Sequence, residues 1–442
     1  MSSEALALLL VAAPGAAFLA LSLLWLLGIP LSERLLAGLT RALYLLLVGV
    51  AGALVWQMWG DGLTPVRVSV GDWFHVAEYH FPLALRIDRL SLPLVGVTVV
   101  LAGVVGAFSV RYLHRDPGFF RFFLLQYLFT FGALLVFTAD SLDLLLGGWE
   151  LVGITSVLLI GFFQYRPDPV RNALRVFGIY RIADLGLLLA VFFAHHGFHT
   201  ASWDGLFHGS QAHLLDSGTA TVVGVLLVFA ACGKSAQGPF CGWLVRAMEG
   251  PTPSSAVFYG AISVHAGAYL LLRIEPLLRA SWIAAALVVF IGLTTALLGT
   301  LVHRTCADAK TSLAYAAQTQ LGLIFAEIGL GWTTFAVIHL VSHALLRTLQ
   351  FLRSPSMLRD YHRVHAAAGG RIDPTGEHYE SLLPRSVQVA LYRVALGRGF
   401  YDAVLDRFIV RPAVVFARWL GRFEPRGTTS AADRTTPTSL TP

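Results

Sequence analysis

The sequence predicts an all-α polytopic membrane protein of about eleven transmembrane helices. Three observations carry that reading. Of 442 residues, 56% are hydrophobic and 13% charged, far from the balance of a soluble domain. Apolar runs of about eighteen residues or more, enough to cross a bilayer as helix, recur from the N-terminus onward. Every second loop is rich in arginine, the alternation expected of a chain that threads back and forth under the positive-inside rule.

Spans are expected near 5–28, 35–59, 91–112, 120–139, 142–164, 172–195, 219–247, 253–273, 281–303, 309–330 and 332–353. The first lacks a basic leader and a small-residue cleavage site, so it reads as a retained helix. Residues 1–59 thus form two N-terminal helices. Residues 60–90 alternate polar and apolar side chains, as in Val66-Arg67-Val68-Ser69-Val70, the pattern of a β-hairpin outside the bilayer. Arginines cluster at 111–115, 166–175, 246–253, 303–310 and 353–371, which places those loops in the cytoplasm and the N-terminus outside. Residues 91–353 form the core. Residues 354–424 turn polar and then amphipathic, with arginines spread through Tyr379–Phe423, as in interfacial helices that dock a partner. The Thr/Ser/Pro-rich residues 425–442 read as a disordered tail.

The net charge of +6 resides in the loops and forms no aromatic-interleaved basic patch, which argues against nucleic-acid binding. Cys232, Cys241 and Cys306 lack metal-ligand spacing and read as small buried hydrophobes. The chain shows no phosphate-binding glycine loop, dinucleotide fingerprint, catalytic triad or iron–sulfur cysteine cluster, so no cofactor is expected on it and no catalytic chemistry of its own. Energy enters in another form.

That form is indicated at residues 233–239. Gly233-Lys234-Ser235-Ala236-Gln237-Gly238-Pro239 interrupts the apolar run Thr219–Cys232, and irregular backbone at membrane depth survives only inside protein or beside water. Of 32 basic residues only Lys234 and Lys310 are lysines. Arginine keeps its proton, whereas a buried lysine can release one, so Lys234 is the leading candidate for a proton carrier. Glu150 lies midway along its span and needs a cation, either Lys234 or another within the membrane. Asp184 follows Arg181 by three residues, as a local ion pair or a modulating carboxylate. His339, His343 and Arg347 share one helical face as a relay, and His265 extends the same axis. Lys310, after Asp308, is either a snorkelling interfacial residue or a further relay group. Glu249 is expected to close the broken helix and cap the next.

Gly147-Gly-Trp-Glu150-Leu-Val-Gly153, Gly233-Lys234-Ser-Ala-Gln237, Trp243 and Glu249-Gly-Pro-Thr-Pro253-Ser-Ser-Ala256 resemble the antiporter-like proton-conducting subunits of respiratory complex I and Mrp antiporters. The resemblance covers roughly Asp88 to Arg353. It implies that Glu150 and Lys234 form the key pair, that Lys310 is the bridging lysine, and that His339 and His343 lie on the polar axis. Two departures stand out. Arg347 occupies a position where long members usually carry lysine, and polar sequence after Arg353 replaces a second broken helix, so the second repeat is expected to be truncated. Within the family, residues 249–265 are most similar to the DabB membrane subunits of inorganic-carbon accumulation complexes. That similarity implies a bacterial cytoplasmic-membrane protein, a large zinc-containing DabA-like partner subunit, and coupling of H⁺ or Na⁺ flow to CO₂ hydration. The alternative is a proton-pumping subunit of a complex I- or hydrogenase-related redox complex.

Overall fold

The computed structural model describes residues 1–76, 79–198, 200–207, 217–354, 366–367 and 382–420. Contacts divide the chain into two units, Met1–Gly399 and Phe400–Pro442.

The first unit begins with α1 (Ser3–Leu26) and α2 (Glu33–Gly60), each capped by a serine hydroxyl (Ser2 and Ser32) that accepts from a first-turn amide. The expected hairpin follows as β1 (Val66–Val76) and β2 (Tyr79–Ile87), antiparallel, with Arg67 directly opposite Arg86. Like charges facing across strands repel. Asp204, which pairs with both arginines, offsets that repulsion. Next come α3 (Ser91–Tyr112), α4 (Phe119–Thr138), α5 (Leu142–Ile160), α6 (Pro167–Phe198) and the short α7 (Trp203–Phe207).

The chain then runs through α8 (Ser217–Lys234), breaks at the predicted site, and resumes as α9 (Trp243–Arg246) and a 3₁₀ turn, Ala247–Glu249. It was expected to continue as one span at 253–273. It instead folds as α10 (Thr252–Ser255), a π-helical stretch Ala256–Ala261, an irregular step at Ile262–Val264, and α11 (His265–Arg273). This is a second interruption that hydropathy does not register, because Ala261-Ile262-Ser263-Val264 remains largely apolar. Glu249 does not cap α10, whose N-cap Pro251 has no side-chain bond; Asn172 holds the Glu249 carboxylate instead, at 3.4 Å.

After α12 (Glu275–Ala280), α13 (Trp282–His303) and α14 (Ala309–Gly329) lie backbone to backbone. A Cβ on Gly292 would come within 2.5 Å of the Gly322 carbonyl oxygen, and one on Gly322 within 2.5 Å of the Gly292 oxygen. Small residues permit this approach, as is usual between membrane helices. α15 (Thr333–Arg353) follows, and α16 (Arg385–Leu396) packs on α13.

Among the described residues, eight helices are long and apolar enough to cross a membrane: α1 to α6, α13 and α15. The other three expected spans are the shorter apolar α8, the twice-divided 252–273 segment, and α14, whose polar side chains lower its hydropathy. The second unit contains α17 (Tyr401–Leu405), a π turn at Asp406–Val410 and the amphipathic α18 (Arg411–Leu420). Parts of the expected docking segment, at 355–365, 368–381 and 421–424, and the expected disordered tail, 425–442, lie outside the described residues.

Candidate functional site: a buried ionisable axis

Breaking a helix in the membrane frees backbone groups that must find partners within the protein. At the first break several are met by side chains. The Trp243 indole donates to the Gly233 carbonyl (2.8 Å), Gln318 to that of Ala236 (2.8 Å), and the Gly238 amide donates to the Thr295 hydroxyl (3.0 Å). Ser235 donates to the Val264 carbonyl at 2.6 Å, so the two interrupted helices are joined at their breaks. α8 ends in this polar knot, and Lys234 is its last residue.

Lys234 is 1% exposed. Its Nζ donates to the Trp149 carbonyl at 2.9 Å and lies over the rings of Tyr180 (4.6 Å) and Trp149 (4.9 Å). Gly153 makes the room: a Cβ there would sit 3.0 Å from Nζ. The Trp149 indole donates to Asp184 Oδ1 (2.6 Å), and Arg181 donates to Asp184 Oδ2 (2.8 Å) and pairs with Glu150. The expected local Arg181–Asp184 pair is therefore present. The Glu150–Lys234 pair implied by the resemblance is not: the cation of Glu150 is Arg181. α6 packs against α5 so that Arg181 reaches Glu150, while Lys234 approaches from α8 beneath the Trp149 ring. Trp149 and Asp184 connect the two.

The histidine face divides. His265, first residue of α11, meets His343 at 2.9 Å, so the proposed extension of the axis is a direct contact. His339 turns away from His343, to Glu327 (2.8 Å) and Gln320 (3.0 Å) on α14. Arg347 donates to the Ala316 carbonyl (2.9 Å) and to Gln350 (2.7 Å), with no hydrogen bond to His343. Lys310 is half-buried and reaches the Gly250 carbonyl at 3.4 Å; the structure does not bring it to Lys234 or the histidines. Glu327 was missed by the sequence reading. A lone carboxylate within the apolar stretch Ile324-Phe325-Ala326-Glu327-Ile328 was the available signal.

Between Lys234 and His265 the Tyr180 hydroxyl faces Ser263. Apart from each other these two hydroxyls have no hydrogen-bond partner, and Gln237 Oε1, Gln318 Oε1 and His343 Nε2 are buried with none. Each such group costs about 1–3 kcal/mol if left dry. A row of them is a lining suited to water or a migrating proton.

Comparison with known proteins identifies the family. Residues 139–369 match the family described as NADH:quinone oxidoreductase/Mrp antiporter, TM, and residues 73–123 match the N-terminal region of complex I chain 5. NADH-quinone oxidoreductase subunit L of Mycobacterium tuberculosis is 36% identical over 71% of this chain and 50% of its own. NADH-ubiquinone oxidoreductase chain 5 of Allomyces macrogynus is 32% identical over 82% of this chain and 57% of its own. The chain thus spans about half the length of the curated relatives it matches. Among solved structures, the Mrp complex from Dietzia sp. DQ12-45-1b superposes with a TM-score of 0.66 at 30% identity, covering 77% of this chain and 37% of that one. The archaeal membrane-bound sulfane sulfur reductase shares the fold, with a TM-score of 0.67 at 20% identity over 79% of this chain and 70% of its own. This chain belongs to the NADH:quinone oxidoreductase/Mrp antiporter transmembrane family.

Proposed function

We propose that the chain is a proton-conducting membrane subunit that couples ion flow to a partner protein. The observation that carries this reading is Lys234: an ammonium buried at the end of a broken helix, two bonds from Asp184 through Trp149, and followed by unpartnered polar atoms leading to His265 and His343. A lysine can give up its proton there. The neighbouring Arg181 holds its own and fixes the carboxylates. Protons suit this lysine–carboxylate arrangement better than Na⁺, which calls for a cluster of oxygen ligands.

A partner is supported by the opposite edge of the same cluster. The Glu150 and Arg181 side chains are 36% and 38% exposed at mid-helix, where lipid is a poor neighbour for charge. Another subunit seated there would cover them. The wording of residues 249–265 favours a DabA-like zinc protein, with proton flow driving CO₂ hydration. The names of the relatives favour the second reading, a pumping subunit of a redox complex. Purification from native membranes in mild detergent separates the two: a large zinc-containing companion supports the first, and quinone- or iron–sulfur-bearing subunits support the second. In either complex, Lys234→Ala is expected to lower ion-coupled activity at least about 100-fold, the loss typical of a proton-transfer group, with assembly unchanged. Full activity in an assembled Lys234→Ala complex would remove the carrier role.

A further inference from the structure

We propose that the arginine-rich ends of α2 and α3 form a binding site for an anionic phospholipid. Arg41 of α2 and Arg111 of α3 line one open groove of about 720 Å³, together with Phe108 and Tyr112. Both arginines are exposed, and neither makes a hydrogen bond or ion pair among the described residues. The nearby carboxylates are already engaged. Glu33 accepts from His114 and from the Arg115 amide, and Asp116 accepts from the Gly118 amide. Two unpaired guanidiniums at the edge of the hydrocarbon are a phosphate clamp without its phosphate charge.

The surfaces leading away from the groove specify a lipid rather than a soluble anion. On α2 the positions after Arg41 at helical spacing, Leu45, Val48 and Val55, are exposed and apolar. On α3 the positions before Arg111, Val100, Val104 and Ala107, are exposed and apolar as well. The two helices pack antiparallel, so each runs from its arginine into the membrane as an apolar stripe. A phosphodiester held by Arg41 and Arg111 would lay its acyl chains along these stripes. Phe108 and Tyr112, stacked at 5.5 Å, flank the headgroup level where aromatic side chains favour the interface. Tyr112 also hydrogen-bonds Thr252, the first residue of α10, at 3.2 Å, so the groove adjoins the interrupted segment.

The test is native mass spectrometry of the full chain, purified in mild detergent and exchanged into mixed phosphatidylglycerol and phosphatidylethanolamine. The wild type is expected to retain phosphatidylglycerol preferentially. Arg41→Gln/Arg111→Gln is expected to lose that retention roughly 20-fold or more, at about 1 kcal/mol per arginine near the surface. Arg166→Gln, on another loop, should change nothing, and an unchanged melting temperature would show that the double variant remains folded. Equal phosphatidylglycerol retention by the double variant overturns the proposal. Displacement of the lipid by millimolar inorganic phosphate also overturns it in favour of a free anion. Loss of a co-purifying protein with lipid retention intact overturns it in favour of a protein interface.

Discussion

Among the described residues, two charge clusters are built on opposite terms. The outer one joins the hairpin, α3, α7 and α11. Arg273 grips Asp88 through two nitrogens and also meets the Tyr269 hydroxyl, while Arg86 spans Asp88 and Asp204. Its central charges are paired in both directions, and removing one partner strands the other. The inner one, around Lys234 and the two helix breaks, ties down freed backbone groups with side chains but leaves side-chain atoms of Gln237, Gln318 and His343 without partners, and the Tyr180 and Ser263 hydroxyls with only each other. The first arrangement holds elements in place. The second leaves capacity for a traveller.

That contrast can be broken most directly at Asp88. Asp88→Ala strands Arg273 and is expected to cost about 3–5 kcal/mol of stability, read as a large fall in melting temperature in detergent, with ion flux per folded molecule preserved. A flux defect larger than the loss of folded protein would give the outer cluster a part in conduction. Next in size is Asp184→Asn, which keeps the shape but removes the charge shared by Trp149 and Arg181. A stability loss of about 1–3 kcal/mol is expected, together with a flux defect far exceeding it. The smallest stability effect belongs to Ser263→Ala, whose hydroxyl faces that of Tyr180 and has no other partner. Melting should move by no more than the equivalent of about 0.5 kcal/mol, while flux falls severalfold if the hydroxyl lines the path.

Acidity sharpens the same comparison. Burial would raise the pKa of Asp88, but Arg273, the Ser91 amide and Arg86 together hold it below the ordinary carboxylate value. A depressed carboxylate stabilises the fold above its unfolded pKa, and that contribution is lost as pH falls through the folded one. Asp204, held down by Arg67 and Arg86 against a smaller burial effect than at Asp88, acts in the same sense, whereas Asp140, pushed up by burial, acts in the opposite one. The melting difference between wild type and Asp88→Asn is therefore expected to be constant near neutrality and to shrink below about pH 4. A difference that persists to pH 2 would mean that Asp88 contributes through shape alone.

Much of the scaffold was legible in the sequence because its causes are local. The hairpin announced itself by alternation, the break by Gly-Lys-Ser-Ala-Gln within an apolar run, and the histidine face by its spacing. What was not legible depends on which helices meet. Nothing near Glu150 in sequence indicates that Arg181, one helix away, would take its charge, or that Trp149 would accept from Lys234 at its carbonyl and donate to Asp184 from its indole. The step at Ile262–Val264 was hidden because its side chains are mostly apolar and its freed Val264 carbonyl is satisfied by Ser235, just past the end of α8. Glu327 was passed over because its meaning comes from His339, twelve residues later on another helix.

The glycine seam between α13 and α14 has a mechanical consequence. With backbones this close at Gly292 and Gly322, a side chain at either position would push the two helices apart. α14 carries Lys310 near one end and Glu327 near the other, about 25 Å apart at 1.5 Å per residue. α14 therefore joins the Lys310–Gly250 contact to the Glu327–His339 pair along one helix whose place is set by its glycine contact with α13.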